Sequence, residues 1–399
     1  LVNGDSVGFT YSGNKETEVG DYTAQVTGLT GTKAGNYKLP SATTTAWSIG
    51  EGTILATVTF STGLTYDGSA QTLVKVTGVN PSGATVNITV DGINTSTATN
   101  AGTYAVKVTI TAHGYDDKVV EQNVSIAKAS VTVTAKNQTV TYGDDAPSND
   151  FSYTLKGSDT WAGSVTGNVT YTCSYTTTSD VRSYDITPDV SGLTSSNYTF
   201  TAAKGTLTVE QREVTVTWKN PLTFKYDGNA KTVTAELGNK ANGDDDVSFA
   251  FSGNTKTAVG NYTASVSLTG AKVGNYKLPS TGTSQAWYIT AGDIVATVTG
   301  VTGLVYNADD QNLVNVTVTA PGSGYTISYK VNGTSVSSPM GKNAGSYSVE
   351  VTITATGYAT KTIPAVTVSI SKATVNVTAD NESITYGDAA PTYTFSATL

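Results

Sequence analysis

Apolar and polar residues alternate with a period of two along ILATVTF (54–60), ATVNITV (84–90) and YAVKVTITA (104–112). Each run offers one face to a core and the other to water, the pattern of a half-buried antiparallel strand. Val, Thr, Ser and Tyr fill such runs, and turns rich in Gly, Asn and Asp separate them, as expected for many short strands. No stretch carries a long amphipathic helical period. Two-faced sheets of this kind bury their apolar sides by packing on one another, so the pattern predicts small β-sandwiches.

The strand pattern repeats on a larger scale. FTYSGNKETEVGDYTAQV (9–26) returns as FAFSGNTKTAVGNYTASV (249–266), and GNYKLP stands at 35–40 and at 274–279. VTITAHGY (108–115) returns as VTITATGY (351–358), and VTVTAKNQTVTYGDDAP (131–147) as VNVTADNESITYGDAAP (375–391). Self-similarity at a steady offset marks a tandem array. It also separates scaffold from chemistry, because a residue lost from one copy is a poor candidate for an essential catalytic role.

The period divides into three module types. The first occupies 50–128, with TYDGSAQ near its start and NAGTY near its end. The second occupies 129–210, from TVTYGDDAP to SSNYTFTAAKGTLTV, and the third 211–290, from FKYDGNA to GNYKLPSTGTSQAWYI. The first type returns at 291–372. Residues 1–49 read as part of a third-type module and 373–399 as the opening of a second-type module. Both end pieces lack strands that a full module has, and they read as the cut faces of a continuous array. The links SIGEG (48–52), IAKAS (126–130), VEQRE (209–213) and ITAGD (289–293) are short and carry no Gly/Ser or Pro run. Flexible linkers need such composition, so the expected architecture is an elongated, semi-rigid rod in which each module leans on its neighbours. A β-grasp-like module is the alternative fold.

Composition narrows the function. Charged residues make up 14% of the chain and the net charge is −8. An acidic chain without a basic patch offers no footprint for nucleic acid or an anionic membrane, and no apolar stretch reaches membrane-spanning length. The single cysteine, Cys173, excludes an internal disulfide framework. The only histidine, His113, is Thr356 in the other copy, and the pair Glu16 and Glu18 becomes Lys256 and Ala258. Neither supports acid–base or nucleophilic catalysis. The sequence holds no zinc-ligand spacing, phosphate loop or dinucleotide fingerprint, so no cofactor is expected. The acidic groups Asp144–Asp145, Asp244–Asp246 and Asp309–Asp310 lack the spacing of a calcium loop and read as solvated turn residues.

The aromatic residues read as scaffold. EVGDY, NAGTY, AVGNY and NAGSY place Tyr22, Tyr104, Tyr262 and Tyr347 just after a glycine, at the start of a strand. The glycine is expected to supply a positive φ, and the ring to be buried with its hydroxyl on backbone across the corner. Trp47 and Trp287 hold matching positions in AWSI and AWYI, which points to packing. Trp161 and Trp218 have no second copy, and they are the candidate exposed aromatics.

With these residues in view, TYGDDAP, LKGSDTWAGSVTGNVTYT and SSNYTFTAAKGTLTV together resemble the YGX-type MBG repeat of large bacterial surface proteins. KYDGNAKTV with VGNYTASVSLTGAKVGNYKLP is similar to the YDG-type repeat of the same proteins. TYDGSAQTLVKVTG with NAGTYAVKVTITAHGY looks like a third relative. The resemblance covers nearly the whole chain and departs at VRSY (181–184), where the family shows glycine before the tyrosine. It implies an extracellular, cell-anchored, multi-module protein of the adhesin kind with no catalytic residues to carry over, while the strand alternation and the tyrosine corners predict that its modules are immunoglobulin-like β-sandwiches. The expected function is a stalk or fibre. Its alternatives are a glycan- or host-protein-binding array acting through avidity, and a filament whose like chains complete each other's open sheets.

Overall fold

The computed structural model describes residues 1–398. The chain forms two compact units: Leu1–Val140, Asp145–Thr176 and Arg182–Val209 in the first, and Thr141–Asp144, Thr177–Val181 and the chain from Glu210 in the second. Each is built mainly from antiparallel strand pairs, with short parallel pairings at sheet edges and the longer parallel pair of 129–135 with 198–203 in the first unit. Among the described residues the only α-helix is the single turn Trp161–Ser164. A β-grasp module needs a helix lying across its sheet, so that alternative is excluded.

In the first unit, Ile93–Asn94, Thr85–Val90, Gly102–Thr111, Lys118–Ala127 and Leu64–Thr65 form one five-stranded sheet in that spatial order. The hairpin of Leu55–Phe60 and Val74–Asn80 packs against it. The alternation in the sequence sets the register. Val106, Val108 and Ile110 point inward and are fully buried, while Lys107 points out and pairs with Glu121 at 2.8 Å. Further along, Ala129–Ala135 pairs in parallel with Tyr198–Ala203, and Gly205–Glu210 pairs with Ser183–Asp189. The hydrophobic core does not stop at the start of that segment: it runs from Ile54 through Ile126 to Ala129, Val131 and Tyr198. Residues 1–49 supply one three-stranded sheet, Gly8–Ser12, Gly20–Thr30 and Thr44–Ile49.

The second unit repeats this plan. Thr223–Lys225, Ser284–Thr290, Gly260–Thr269 and Ser248–Ser252 form one sheet, and Thr215–Trp218 pairs antiparallel with Ala235–Gly238 in another. The following sheet contains Lys361–Ser371, Gly345–Ala355 and Tyr325–Val331, and buries Val349, Val351 and Ile353. Asn376–Ala379 and Phe395–Thr398 pair as an exposed hairpin. Its register, Thr378 opposite Ser396, matches that of Thr134 opposite Ser152 in the first unit.

The two matched tryptophans measure what a second sheet contributes. Trp47 Nε1 donates to Gly13 O at 2.9 Å and Trp287 Nε1 to Gly253 O at 3.2 Å. Their local geometry is the same, yet Trp287 is 0% exposed and Trp47 half-buried. Trp287 is covered by Phe224, Val233 and Trp218, whereas Trp47 packs on Tyr22 with ring centres 5.1 Å apart. Truncating a fully buried tryptophan costs about 3–5 kcal/mol. Trp287→Ala is therefore expected to lower the calorimetric transition of its sandwich by that amount, and Trp47→Ala by less than half of it. Equal losses would contradict this account.

Candidate functional site

The four corner tyrosines share one hydrogen bond. Each hydroxyl donates to the carbonyl four residues earlier: Tyr22 to Glu18 at 2.5 Å, Tyr104 to Asn100 at 2.6 Å, Tyr262 to Ala258 at 2.7 Å and Tyr347 to Asn343 at 2.7 Å. The rings are half-buried rather than buried. The role expected of the glycines needs correcting. Gly20, Gly102, Gly260 and Gly345 are not among the positive-φ residues. Close approach of the ring is the constraint at two of them, since a Cβ on Gly20 or Gly260 would sit 3.1 or 3.0 Å from its tyrosine hydroxyl. In VRSY, Arg182 takes the glycine's place and lays its guanidinium 4.5 Å over the buried Tyr184 ring.

Trp161 is half-buried among Tyr153, Phe151 and Phe200, at ring-centre distances of 4.6, 4.9 and 5.9 Å. Its helical turn starts at Thr160, whose side chain accepts from Gly163 N–H. Trp218 is half-buried too, donating from Nε1 to Gly282 O at 3.0 Å. His113 lies 2.6 Å from Glu18 on the surface, and Cys173 is half-buried. No group of three or more His, Cys, Asp or Glu side chains among the described residues could hold a metal ion.

The most elaborate polar geometry lies where one repeat stretch meets the next. In the first unit Tyr66, from TYDG, and Tyr198, from SSNY, both donate to Asp159 Oδ2, at 2.8 and 2.6 Å. Their rings meet edge-on, 5.3 Å apart at 87°. The Tyr198 hydroxyl also accepts the Lys156 N–H at 2.9 Å. Both rings are buried, at 4% and 2% exposure. Every part of TYDG has a task here. Asp67 accepts from Ser69 N–H and closes the turn. Gly68, at φ +87, lies so close to Gly157 that a Cβ would come within 3.0 Å of its Cα. Asn197, just before Tyr198, accepts from Ala101 N–H at 2.9 Å in the NAGTY corner.

The second unit builds the same triad from a different pair of stretches. Tyr142, from TYGDD, and Tyr276, from GNYKLP, donate to Asp244 Oδ2 at 2.7 and 2.8 Å, with rings 5.5 Å apart at 77°. The Tyr276 hydroxyl accepts Ala241 N–H at 2.9 Å. Asn275, the counterpart of Asn197, accepts from Val181 N–H and donates to Asp180, which accounts for a polar side chain only 4% exposed. Arg212 donates to the Tyr142 carbonyl at 2.7 Å and pairs with Asp144. A third seam, also in the second unit, uses rings and glycines. Tyr226 and Tyr358 meet edge-on at 5.2 Å, and a Cβ on Gly357 would lie 2.4 Å from the Tyr226 ring.

The sequence reading missed these residues. It placed Asp244 in a solvated turn and gave Tyr66, Tyr142, Tyr198 and Tyr276 no role. The signal was present: Asn3-Gly4-Asp5 and GNYKLP recur together as Asn242-Gly243-Asp244 and GNYKLP.

Residues 131–208 match the MBG domain of YGX type and residues 56–130 the MBG domain. The two matched stretches follow one another directly, as in a tandem of MBG repeats. No curated protein matches the chain. Among solved structures, the chain is similar at 10% identity and a TM-score of 0.21 to the eight N-terminal immunoglobulin domains of Down syndrome cell adhesion molecule. That match covers 90% of this chain and 53% of the other, so the chain spans about half the length of that eight-domain chain. The insect immune protein hemolin matches at 11% identity, covering 81% of this chain and 100% of its own, with a TM-score of 0.18. SGBP-B of the Bacteroides ovatus mixed-linkage glucan utilization locus, solved in complex with a mixed-linkage heptasaccharide, matches at 13% identity, covering 78% of this chain and 88% of the other, with a TM-score of 0.15. These scores carry no argument. No helix among the described residues is long and apolar enough to cross a membrane.

The triads have a titration signature. Burial first, and the neighbouring Asp159 or Asp244 carboxylate next, favour the neutral phenol; Tyr198 and Tyr276 are pushed up to about 12, and Tyr66 and Tyr142 are also raised. A phenol whose pKa is higher folded than unfolded stabilises the fold below the unfolded value of about 10, and that contribution is lost as pH rises through the folded one. Absorbance near the phenolate band is thus expected to show a late group of tyrosines ionising about two pH units after the exposed ones, together with loss of native signal. Asp159→Asn should bring part of that group earlier. A single tyrosine step near pH 10 in the unmodified protein would refute the assignment.

Proposed function

We propose that this chain is the structural repeat region, a stalk or fibre, of a large bacterial extracellular adhesin-like surface protein. It divides into modules at 50–128, 129–210, 211–290 and 291–372, flanked by partial modules 1–49 and 373–399. The observation that carries the reading is the seam between stretches. A seam in which two buried phenols share one half-buried carboxylate oxygen fixes the angle between neighbours, which a spacer under force needs and a flexible string of binding domains does not. Continuity of strands supports it: Lys118–Ala127 is followed one residue later by Ala129–Ala135, and Ser284–Thr290 by Gly292–Asp293. The MBG matches support the extracellular placement. Tyr22, Tyr104, Tyr262 and Tyr347 act in this reading as corner locks within modules, and the protein is not an enzyme and needs no cofactor.

One feature speaks for the binding array. Tyr153 is 42% exposed beside Trp161, above an open hollow lined by Ser130, Thr132, Ser152 and Lys156. Such an aromatic face could take a sugar ring. Yet FSYT (151–154) returns as FSAT (395–398), with Ala397 in place of Tyr153. An array that works by avidity should keep its platform in every copy, so the spacer reading stands ahead.

A stalk whose modules touch only sequence neighbours extends in one dimension. Small-angle scattering on the full chain in dilute solution is expected to give a maximum dimension on the order of 150–200 Å. A value near 80 Å would sink the stalk.

A further inference from the structure

The modules 50–128, 129–210, 211–290 and 291–372 are each tied near their exit by the same backbone bond. The tyrosine of TYDG, TYGD, KYDG or VYNA donates its N–H to a carbonyl at the end of the module's last strand: Tyr66 to Ala127 at 2.9 Å, Tyr142 to Glu210 at 2.9 Å, Tyr226 to Thr290 at 2.9 Å and Tyr306 to Ser371 at 2.8 Å. Just before that tyrosine, Leu64–Thr65 runs parallel to 126–127, Thr223–Lys225 to 288–290 and Leu304–Val305 to 370–371. In the remaining module Gln138–Thr141 lies beside Gly205–Glu210. The entries are tied in the same sense. Gly52–Thr53 runs parallel to Tyr115–Asp116, Ala129–Ala135 to Tyr198–Ala203, Arg212–Glu213 to Tyr276–Lys277 and Gly292–Asp293 to Tyr358–Ala359.

Parallel pairing fixes how such a tie responds to tension. Parallel partners begin at the same end and carry evenly spaced bonds. When a module is pulled by its two termini, the strand near the entry is drawn back by its N-terminal side and the exit strand forward by its C-terminal side. The two slide along each other, and the bonds between them stretch together. An antiparallel pair drawn apart at a shared end opens one bond at a time. The tie is also braced from outside its own module. Tyr66, whose N–H closes it, holds Asp159 of the next module through its hydroxyl. Tyr142 holds Asp244 in the same way, and the Tyr226 ring packs on Tyr358. The strand that would have to slide is the one that the seam holds in place.

We propose that these parallel ties are shear clamps. Each module resists tension along the chain through the few backbone bonds between its entry-side strand and its exit strand, and it yields more readily when the same strand is peeled from its partner. Forced unfolding is governed by the unfolding barrier rather than by equilibrium stability. A module of about 80 residues with a modest core can therefore stay closed under a pull along its chain. The inference deepens the stalk reading and rests on it for the source of the tension. The dependence on direction is a property of the strand pairing alone.

Optical tweezers on the full chain test this by pulling one strand from its two ends. In a Cys173→Ser background, Lys128→Cys supplies one attachment point. The other is Thr62→Cys, ahead of Leu64–Thr65, or Ser69→Cys, beyond it. Thr62, Ser69 and Lys128 are all exposed. Pulling position 62 against 128 slides Leu64–Thr65 past its parallel partner, whereas pulling 69 against 128 peels it away from the far end. At matched force the sliding geometry is expected to open on the order of tenfold more slowly, because its bonds must yield together. Thr302, Asp309 and Lys372, also exposed, hold the matching positions in 291–372 and give the same comparison in a second module. Equal opening rates in the two geometries, or faster opening when the strand is made to slide, would overturn the clamp. Equal rates in a chain that scattering shows to be elongated remove the clamp and leave the stalk standing; a compact chain removes the stalk whatever the rates.

Discussion

A carboxylate oxygen shared by two buried phenols is the constraint on which the rest of the arrangement depends. A lone carboxylate beneath two aromatic rings would be costly to desolvate. Two O–H donors aimed at one oxygen make it tolerable, and only a tyrosine from each of two stretches can bring them. Removing either tyrosine leaves the carboxylate oxygen with one of its two donors, so the full set of bonds requires both stretches in place. That converts adjacency in sequence into a defined packing geometry without a long linker.

The seam also explains why motifs that look generic are so particular. In Tyr-Asp-Gly the ring fills the seat, the aspartate closes the turn and the glycine lets two backbones touch. In Asn-Tyr the asparagine satisfies a backbone N–H on the neighbouring corner while the tyrosine receives its partner ring. The core continues through the first of these seams, with Tyr198 packed in the same cluster as Ile54 and Ile126, so the polar triad sits at the edge of a continuous apolar body.

What was legible in the sequence was what is local. Period-two alternation placed Val106, Val108 and Ile110 inward, and the internal repeat identified Trp47 and Trp287 as packing residues. The hydroxyl-to-carbonyl bond of Tyr104 spans only four residues, and it too could be anticipated. The reason for its glycine could not, because ring approach and positive φ leave the same mark on a sequence. The triads were hidden for a stronger reason. Tyr66 lies 93 residues from Asp159, and Tyr142 lies 102 residues from Asp244. An aspartate after Asn-Gly looks like any turn residue until the fold brings a second stretch over it.

The three seams are not interchangeable. One uses Asp159 and the Gly68–Gly157 contact, one Asp244 with Arg212, and one Gly357 under Tyr226. On the module division proposed above, each module type meets the type before it and the type after it through different residues. An array lengthened by one module would set unlike partners against each other at the new junction, whereas one lengthened by a whole three-module period would keep every junction matched.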